Sequence, residues 1–410
     1  MNRSRARARR LPRTSREFRT LRPKIRARRT HDEEARASFI ELFFDLVFVL
    51  VVTQLSALLL DDVSLDGAAR MTFLLLVAWW AWVYTTWTTN WFDPDTLEMR
   101  TVLLVGMIAG MLGAIAIPDA FGDRAWLLVI GYVGLQVIRN TFAVLATDAA
   151  DSLYRPLVRF LRWNLVVAVL WTLGALLDGQ ARIAVWSGAL ALDYAGPFLG
   201  HWTPGLGRST ALDWHLVPSH FAERIYLFVI IALGESILAT GTAAARLELT
   251  PARLLAVVVA IVVAAAFWWL YFDYHAQRAG EELRRAGNER GRLGRDLTYV
   301  HVPLIAGIIV AAVGSHLVVA HPGERLEGPE LVVLAAGPVL YLLGGLGLKL
   351  RIAGVVATQR IGAAALICVA IALGAELPAL AVWVAALAVL VVLAALETQE
   401  RFRDAVQRSV

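Results

Sequence analysis

Two carboxylates stand one helical turn apart at the head of an apolar run. Glu41 and Asp45, in "ELFFDLVFVLVVTQL" (residues 41–55), share one face of any helix formed there. An acid at the centre of a membrane helix costs about 2.5–3.5 kcal/mol on insertion scales, and less near the interface. Such residues therefore turn to a bundle interior or a wet cavity. Charged groups recur at other helix ends. "HFAERIYLFVIIALGES" supplies Glu223 and Arg224, "NWFDPD" supplies Asp93, "YFDYHAQRAGE" supplies Asp273 and His275, and "TYVHVPL" supplies His301. Cations arrive with Arg100, with Arg139 in "QVIRNTF" and with Arg162 in "FLRWNL". Opposite charges in a low-dielectric setting favour pairing over isolated burial. These groups are expected to line a polar vestibule at one membrane face. The alternative, strongest for Asp93, Arg100 and Arg162, is a set of interfacial residues that snorkel or cap helix ends.

Glu235, in "IALGESIL", lies deep in its apolar run, flanked by Gly234 and Ser236. His316, in "AVGSHLVV", lies at similar depth in another. Ionisable groups so placed mark ion or proton paths, and a Glu–His pair would relay a proton near neutral pH. A hydrogen-bonded clamp between helices is the alternative. His201, Asp213, His215 and His220 gather before the Glu223 helix, but their spacing matches no standard zinc pattern. No metal or other cofactor is expected. A phosphate-binding glycine loop, a nucleophile elbow and a two-histidine zinc-protease helix are all missing, so the soluble-enzyme classes they mark are excluded.

Composition then defines the elements that hold these groups. The 410 residues are 58% hydrophobic and only 18% charged, with a mean hydropathy of +0.61. Globular chains carry about a quarter charged residues. The apolar residues fall in blocks close to the ~20 that span a bilayer. An all-α polytopic membrane bundle is predicted, with about twelve spans near 39–60, 70–92, 100–117, 125–147, 158–177, 181–200, 221–241, 252–274, 298–320, 331–350, 354–375 and 378–396. The one cysteine, Cys368, excludes an intrachain disulfide.

Residues 1–30 hold 13 of the 39 Lys and Arg and one of the 34 acidic residues, a local charge of +12. The rest, with 26 basic and 33 acidic residues, is −7. Residues 1–34 are expected to be a disordered cytoplasmic tail that touches anionic lipid headgroups, with no nucleic acid as partner. Arg-rich segments such as "QRAGEELRRAGNERGRLGR" alternate with Arg-poor loops such as "DDVSLDG". The positive-inside rule then places both termini in the cytoplasm, with the protein in the inner membrane.

The halves 35–205 and 206–410 echo one another. "FVLVVTQLSALL" (48–59) lies over "FVIIALGESILA" (228–239), "WWAWVY" over "FWWLYFDY", "LGALL" over "LGAEL", and "AVWSGALAL" (184–192) over "AVWVAALAV" (381–389). Six spans per half would make two parallel repeats, with a cavity between them. Coincidence of composition is the alternative.

The stretches "ELFFDLVFV" with "TQLS", "WWAWVYTTWTTNWFDPD", "ERIYLFVIIALGESIL" and "YFDYHAQRAG" together resemble the bacterial low temperature requirement protein A (LtrA) family over nearly all the chain after residue 38. That resemblance implies an integral membrane protein linked to growth in the cold, and brings no substrate, reaction or cofactor with it. From the residues, a secondary transporter or ion-coupled permease moving protons or small ions is the first expectation. The alternatives are a membrane enzyme acting on a lipid or polyprenyl substrate, and a sensor or scaffold without turnover.

Overall fold

Polar caps and breaks divide the apolar blocks into helices. In the computed structural model, which describes residues 36–273 and 275–409, the chain is all-helical, with no strand among the described residues. The helices are α1 (Phe39–Asp61), α2 (Leu65–Trp91), α3 (Leu97–Ala116), α4 (Ala125–Ala146), α5 (Tyr154–Ala175), α6 (Gly179–Leu199) and α7 (Pro218–Ala245). They continue as α8 (Pro251–Phe272), α9 (His275–Arg285), α10 (Arg290–Ala320), α11 (Gly328–Ala353), α12 (Thr358–Leu373) and α13 (Ala379–Ser409). Ser64, Thr96 and Thr250 accept backbone N–H groups at the starts of α2, α3 and α8, the role small hydroxyl residues play at helix N-termini. Left-handed glycines end α6 (Gly200, φ 61°) and α11 (Gly354, φ 66°). The expected basic tail, 1–34, and the side chain of His275 lie outside the described residues.

Among the described residues, ten helices are long and apolar enough to cross a membrane. Twelve were expected, and the two that fall short are α6 and α12. α6 carries Arg182, Asp193 and Pro197 in its 21 residues. α12 has 16 residues, or about 24 Å at 1.5 Å per residue, against a hydrocarbon core of about 30 Å. The charged 275–297 segment, expected as a loop, forms the short helix α9 and the first turns of α10.

Two helices organise the rest. α10 is the most enclosed span and packs against α1, α2, α7, α8, α11 and α13. In α2, every residue from Trp79 to Trp91 is buried. Outer helices turn Ile108, Ile130, Val169 and Leu366 outward as an apolar surface, as lipid contact requires. Glycine allows two helix pairs to touch backbone to backbone. A Cβ on Gly131 of α4 would lie 2.5 Å from the Gly113 nitrogen of α3, and one on Gly337 of α11 would lie 2.6 Å from the Ala311 nitrogen of α10.

Gly337→Ala should therefore destabilise the folded chain by about 1–3 kcal/mol or more through overpacking. Gly134→Ala, which meets open space, should be neutral. Thermal aggregation in detergent, followed by size-exclusion fluorescence, checks the pair, and equal behaviour would contradict the packing.

Candidate functional site

A dry ion cluster ties α1 to α7. Glu41 and Asp45 face the first turns of α7, where His220 and Arg224, also four residues apart, stand opposite them. Arg224 grips Asp45 with two parallel hydrogen bonds, Nη1 to Oδ2 at 2.7 Å and Nη2 to Oδ1 at 2.8 Å. His220 Nε2 lies 2.9 Å from Glu41 Oε1. α2 closes the cluster. Trp82 Nε1 donates to Asp45 Oδ1 at 2.8 Å, and the Arg224 guanidinium stands 5.5 Å from the centre of its ring. The Asn90 amide lies 3.1 Å from His220 Nδ1. The second Glu41 oxygen accepts the Ser38 N–H at 2.8 Å, which caps its own helix. None of the four charged side chains has exposed surface. The expected vestibule is thus absent around Glu41 and Asp45: their partners, not water, surround them. Bidentate geometry and neutral donors make that burial tolerable.

A second clamp went unread in the sequence. Glu397 of α13 receives Arg360 Nε at 2.8 Å and Nη2 at 2.9 Å, with Lys349 Nζ 2.8 Å away. Arg360 also donates to the Leu270 carbonyl of α8 at 3.0 Å. This triad joins α8, α11, α12 and α13 at the same end of the bundle. These residues looked like ordinary interfacial charges at span ends, and no local pattern linked three helices.

A polar ladder runs along α4. Tyr132, Gln136 and Arg139 occupy one stripe, at i, i+4 and i+7. Tyr132 donates to Asp193 Oδ2 of α6 at 2.7 Å, and Gln136 donates to the Tyr132 hydroxyl at 3.2 Å. Arg139 donates to Gln136, to Thr85 Oγ1 at 3.2 Å and to the Ala81 carbonyl at 3.3 Å. Asn140 bonds Asn164 of α5. Arg139 is 0% and Asp193 1% exposed, yet neither forms an ion pair among the described residues; the Trp171 indole is the second hydrogen-bonding neighbour of Asp193. Of this ladder the sequence reading had singled out Arg139 alone.

Beside the ladder lies a cavity of about 290 Å³ between α2, α5, α6, the 200–214 loop and α10. Tyr84 joins the two features, because it lines the cavity and the Arg139 guanidinium sits 5.5 Å from its ring centre. The loop is held by Arg159, which donates to the Leu206 carbonyl at 2.9 and 2.7 Å. It is also held by the Ser209 N–H bond to the Gly200 carbonyl at 2.7 Å. His201, the non-glycine residue with a left-handed backbone (φ 47°), lines the cavity with Nε2 3.4 Å from the Tyr84 hydroxyl. Burial holds its imidazole down at about 3, so it is neutral. His201 Nδ1 is buried without a hydrogen-bond partner, and the Trp80 ring stands edge-on to Tyr84 with centres 4.9 Å apart. An unsatisfied buried donor or acceptor costs about 1–3 kcal/mol.

The remaining expected residues scatter. Asp93 and Arg100 are exposed at helix ends, and Arg162, expected to begin its helix, is exposed two turns inside α5; Asp93 accepts the Asp95 N–H in a local turn, and Arg100 pairs with Asp95. Glu223 is half-buried and accepts the Ala37 N–H at 2.9 Å. Asp273 pairs with Arg401 at 2.9 Å. His301 is buried, with Nε2 2.8 Å from the Tyr271 hydroxyl and Nδ1 2.7 Å from the Leu297 carbonyl. Glu235 is 2% exposed with one oxygen unpaired, and Thr53 of α1 is its hydrogen-bonding neighbour. Among the described residues, no hydrogen bond or ion pair joins Glu235 to His316, so the expected relay pair is not formed. No cluster able to hold a metal ion occurs among the described residues.

Arg224→Ala strands Asp45 in a dry site and should cost about 3–5 kcal/mol. Replacing both partners, Asp45→Leu with Arg224→Met, should recover much of that loss. Chemical unfolding of purified protein measures both, and a double variant as weak as the single one would contradict the clamp.

The comparisons with known proteins cover the α1–α7 cluster, the α4 ladder and the cavity. The profile described as "Bacterial low temperature requirement A protein (LtrA)" matches residues 36–395. Uncharacterized protein RA0937 of Rhizobium meliloti (strain 1021) is 33% identical over 323 residues, spanning 78% of this chain and 79% of its own. No solved structure matches. With the ion cluster, the α4 ladder and the cavity all inside the matched region, the chain belongs to the bacterial low temperature requirement A family.

Proposed function

We propose that this family member is a secondary permease of the inner membrane, which takes its substrate into the cavity from the cytoplasmic end and couples its movement to protons through the α4 ladder. One observation carries the reading: the ladder leads from the cavity wall into the bundle interior. Tyr132 lies fourteen residues before Ala146, the last residue of α4, or about 21 Å along the axis at 1.5 Å per residue. Asp193, bonded to Tyr132, lies at that depth and Arg139 about 10 Å from the same end, and among the described residues neither forms an ion pair. Charges kept inside a membrane bundle without a clamp of their own are characteristic of substrate and ion paths. A lipid-modifying enzyme would keep its polar groups at one face, and the ladder does not.

The parallel-repeat plan belongs to this reading. Phe48 and Phe228, matched in the sequence echo, pack with ring centres 6.0 Å apart, as counterparts beside a shared axis would. The pairs α1–α2, α1–α3, α3–α4, α4–α5 and α5–α6 have counterparts in α7–α8, α7–α10, α10–α11, α11–α12 and α12–α13, while α2 reaches α4 where α8 reaches α10 and α13; both sets have a glycine contact at their third and fourth spans. The halves then diverge, with α10 enclosed and its counterpart α3 facing outward. The end where the cavity opens carries the starts of α1 and α10 and the end of α13. Arginine bias assigns that end to the cytoplasm.

The test uses proteoliposomes loaded with a pH-sensitive dye and challenged with a panel of organic anions. Wild type should change the internal pH with at least one anion. Asp193→Asn should insert normally and lose that response by about tenfold or more, the scale of a lost proton-transfer group. Glu235, outside the cavity wall, should tolerate Glu235→Gln. Loss in Glu235→Gln with retention in Asp193→Asn would move the path to the α1–α7 seam, and no response from any anion would remove the permease reading.

A further inference from the structure

We propose that the cavity between α2, α5, α6 and α10 is a binding site for a small aromatic carboxylate. The proposal deepens the permease reading by naming its substrate class, and it rests on that reading only for the claim that the ligand is carried.

Size sets the first limit. At about 290 Å³ the cavity sits just below the ~300 Å³ at which pockets for small organic molecules begin. It suits a body of one or two rings and is too small for a two-chain lipid. Wall chemistry sets the second. Trp80, Tyr84, Trp87, Trp91, Phe160 and Trp214 all contribute to the lining, and aromatic walls hold a planar apolar body through offset or edge-on ring contacts.

Charge then fixes the sign of the head group. Arg208, Arg292 and Arg295 line the cavity, and no Asp or Glu does, although Arg292 pairs with Glu289 at 3.2 Å beside it. Arg208 is exposed and forms no ion pair among the described residues. Arg295 stacks over Phe198 with its guanidinium 4.5 Å from the ring centre, and pairs with its neighbour Asp296 at 2.8 Å. A planar guanidinium fork matches a carboxylate by two parallel bonds. The Tyr84 hydroxyl, 3.4 Å from His201 Nε2, adds a polar group to the wall. An anionic head group answers the arginines; a cationic or purely apolar ligand does not.

Equilibrium dialysis on the full chain in zwitterionic phosphatidylcholine nanodiscs tests the proposal with 2-naphthoate, against 2-naphthylmethanol as its neutral isostere. The acid should bind at least about tenfold more tightly than the alcohol, the scale of a charge-assisted hydrogen bond. Arg208→Gln with Arg295→Gln should erase that preference. Arg325→Gln, at the far end of the bundle where Arg325 pairs with Glu376, should leave it intact. Equal retention of acid and alcohol by wild type means simple partitioning and overturns the proposal, as does a preference that survives the double variant. Should the double variant fail to fold, the wild-type comparison decides by itself. Naphthoate binding without any proton movement in proteoliposomes would keep the site and sink the permease. Proton movement with other anions and no naphthoate binding would do the reverse.

Discussion

The Asp45–Arg224 pair is the constraint on which the two halves depend. It is bidentate, has no exposed surface, and is covered by the Trp82 indole. Buried ion pairs are a poor source of stability, because desolvation offsets most of the attraction. Their effect is geometric: once both charges are buried, any register of α1 against α7 other than the one that joins them is strongly unfavourable. The pair therefore fixes α1 to α7. The bond of Asn90 to the Val217 carbonyl at 3.0 Å fixes α2 to the same place. α2 in turn carries Trp80 and Tyr84 into the cavity wall and Thr85 against Arg139.

Two kinds of buried charge coexist at this end of the bundle, and partnering separates them. Glu41, Asp45, His220 and Arg224 pair with one another, with Arg224 Nε 3.8 Å from Glu41 Oε1 and making no hydrogen bond, and Lys349, Arg360 and Glu397 do likewise; these clusters hold helices. Arg139 and Asp193 are equally buried; their hydrogen-bond partners are neutral, and each feels the other's charge without a direct ion pair. Neutral partners leave a charge free to respond to a passing ion or proton, whereas a bidentate counter-ion does not. The 200–214 loop, anchored by Arg159, shapes the mouth that lies between the ladder and the arginines of α10.

Much of the fold was legible in the sequence, and the pairing of its side chains was not. Long apolar runs between caps and glycines located every major helix, since membrane spans must satisfy their backbone bonds internally. α6 and α12 were the weak points, because length and composition there sit at the limit for a span. Glu41 and Asp45 were recognisable from their spacing, but their partner His220 was read as a loop residue. Pro218, suited to a first helical position, and the His220–Arg224 interval of four were the signals that placed it on α7. Tyr132, Gln136 and Arg139 also carried a readable i, i+4, i+7 stripe. The cavity had no such signal, being assembled from four segments spread between residues 80 and 299.

The central claim is that water and ligand enter between α2 and α10, while the α1–α7 seam stays dry. Single-cysteine labelling with a membrane-impermeant maleimide, in a Cys368→Ser background, tests it most directly. Thr298 lines the cavity and Thr240 lies on α7 away from it; each is 2% exposed. The account predicts that Thr298→Cys reacts from the cytoplasmic side of inverted vesicles while Thr240→Cys stays unlabelled. An unreactive Thr298→Cys beside a reactive Thr240→Cys would contradict it.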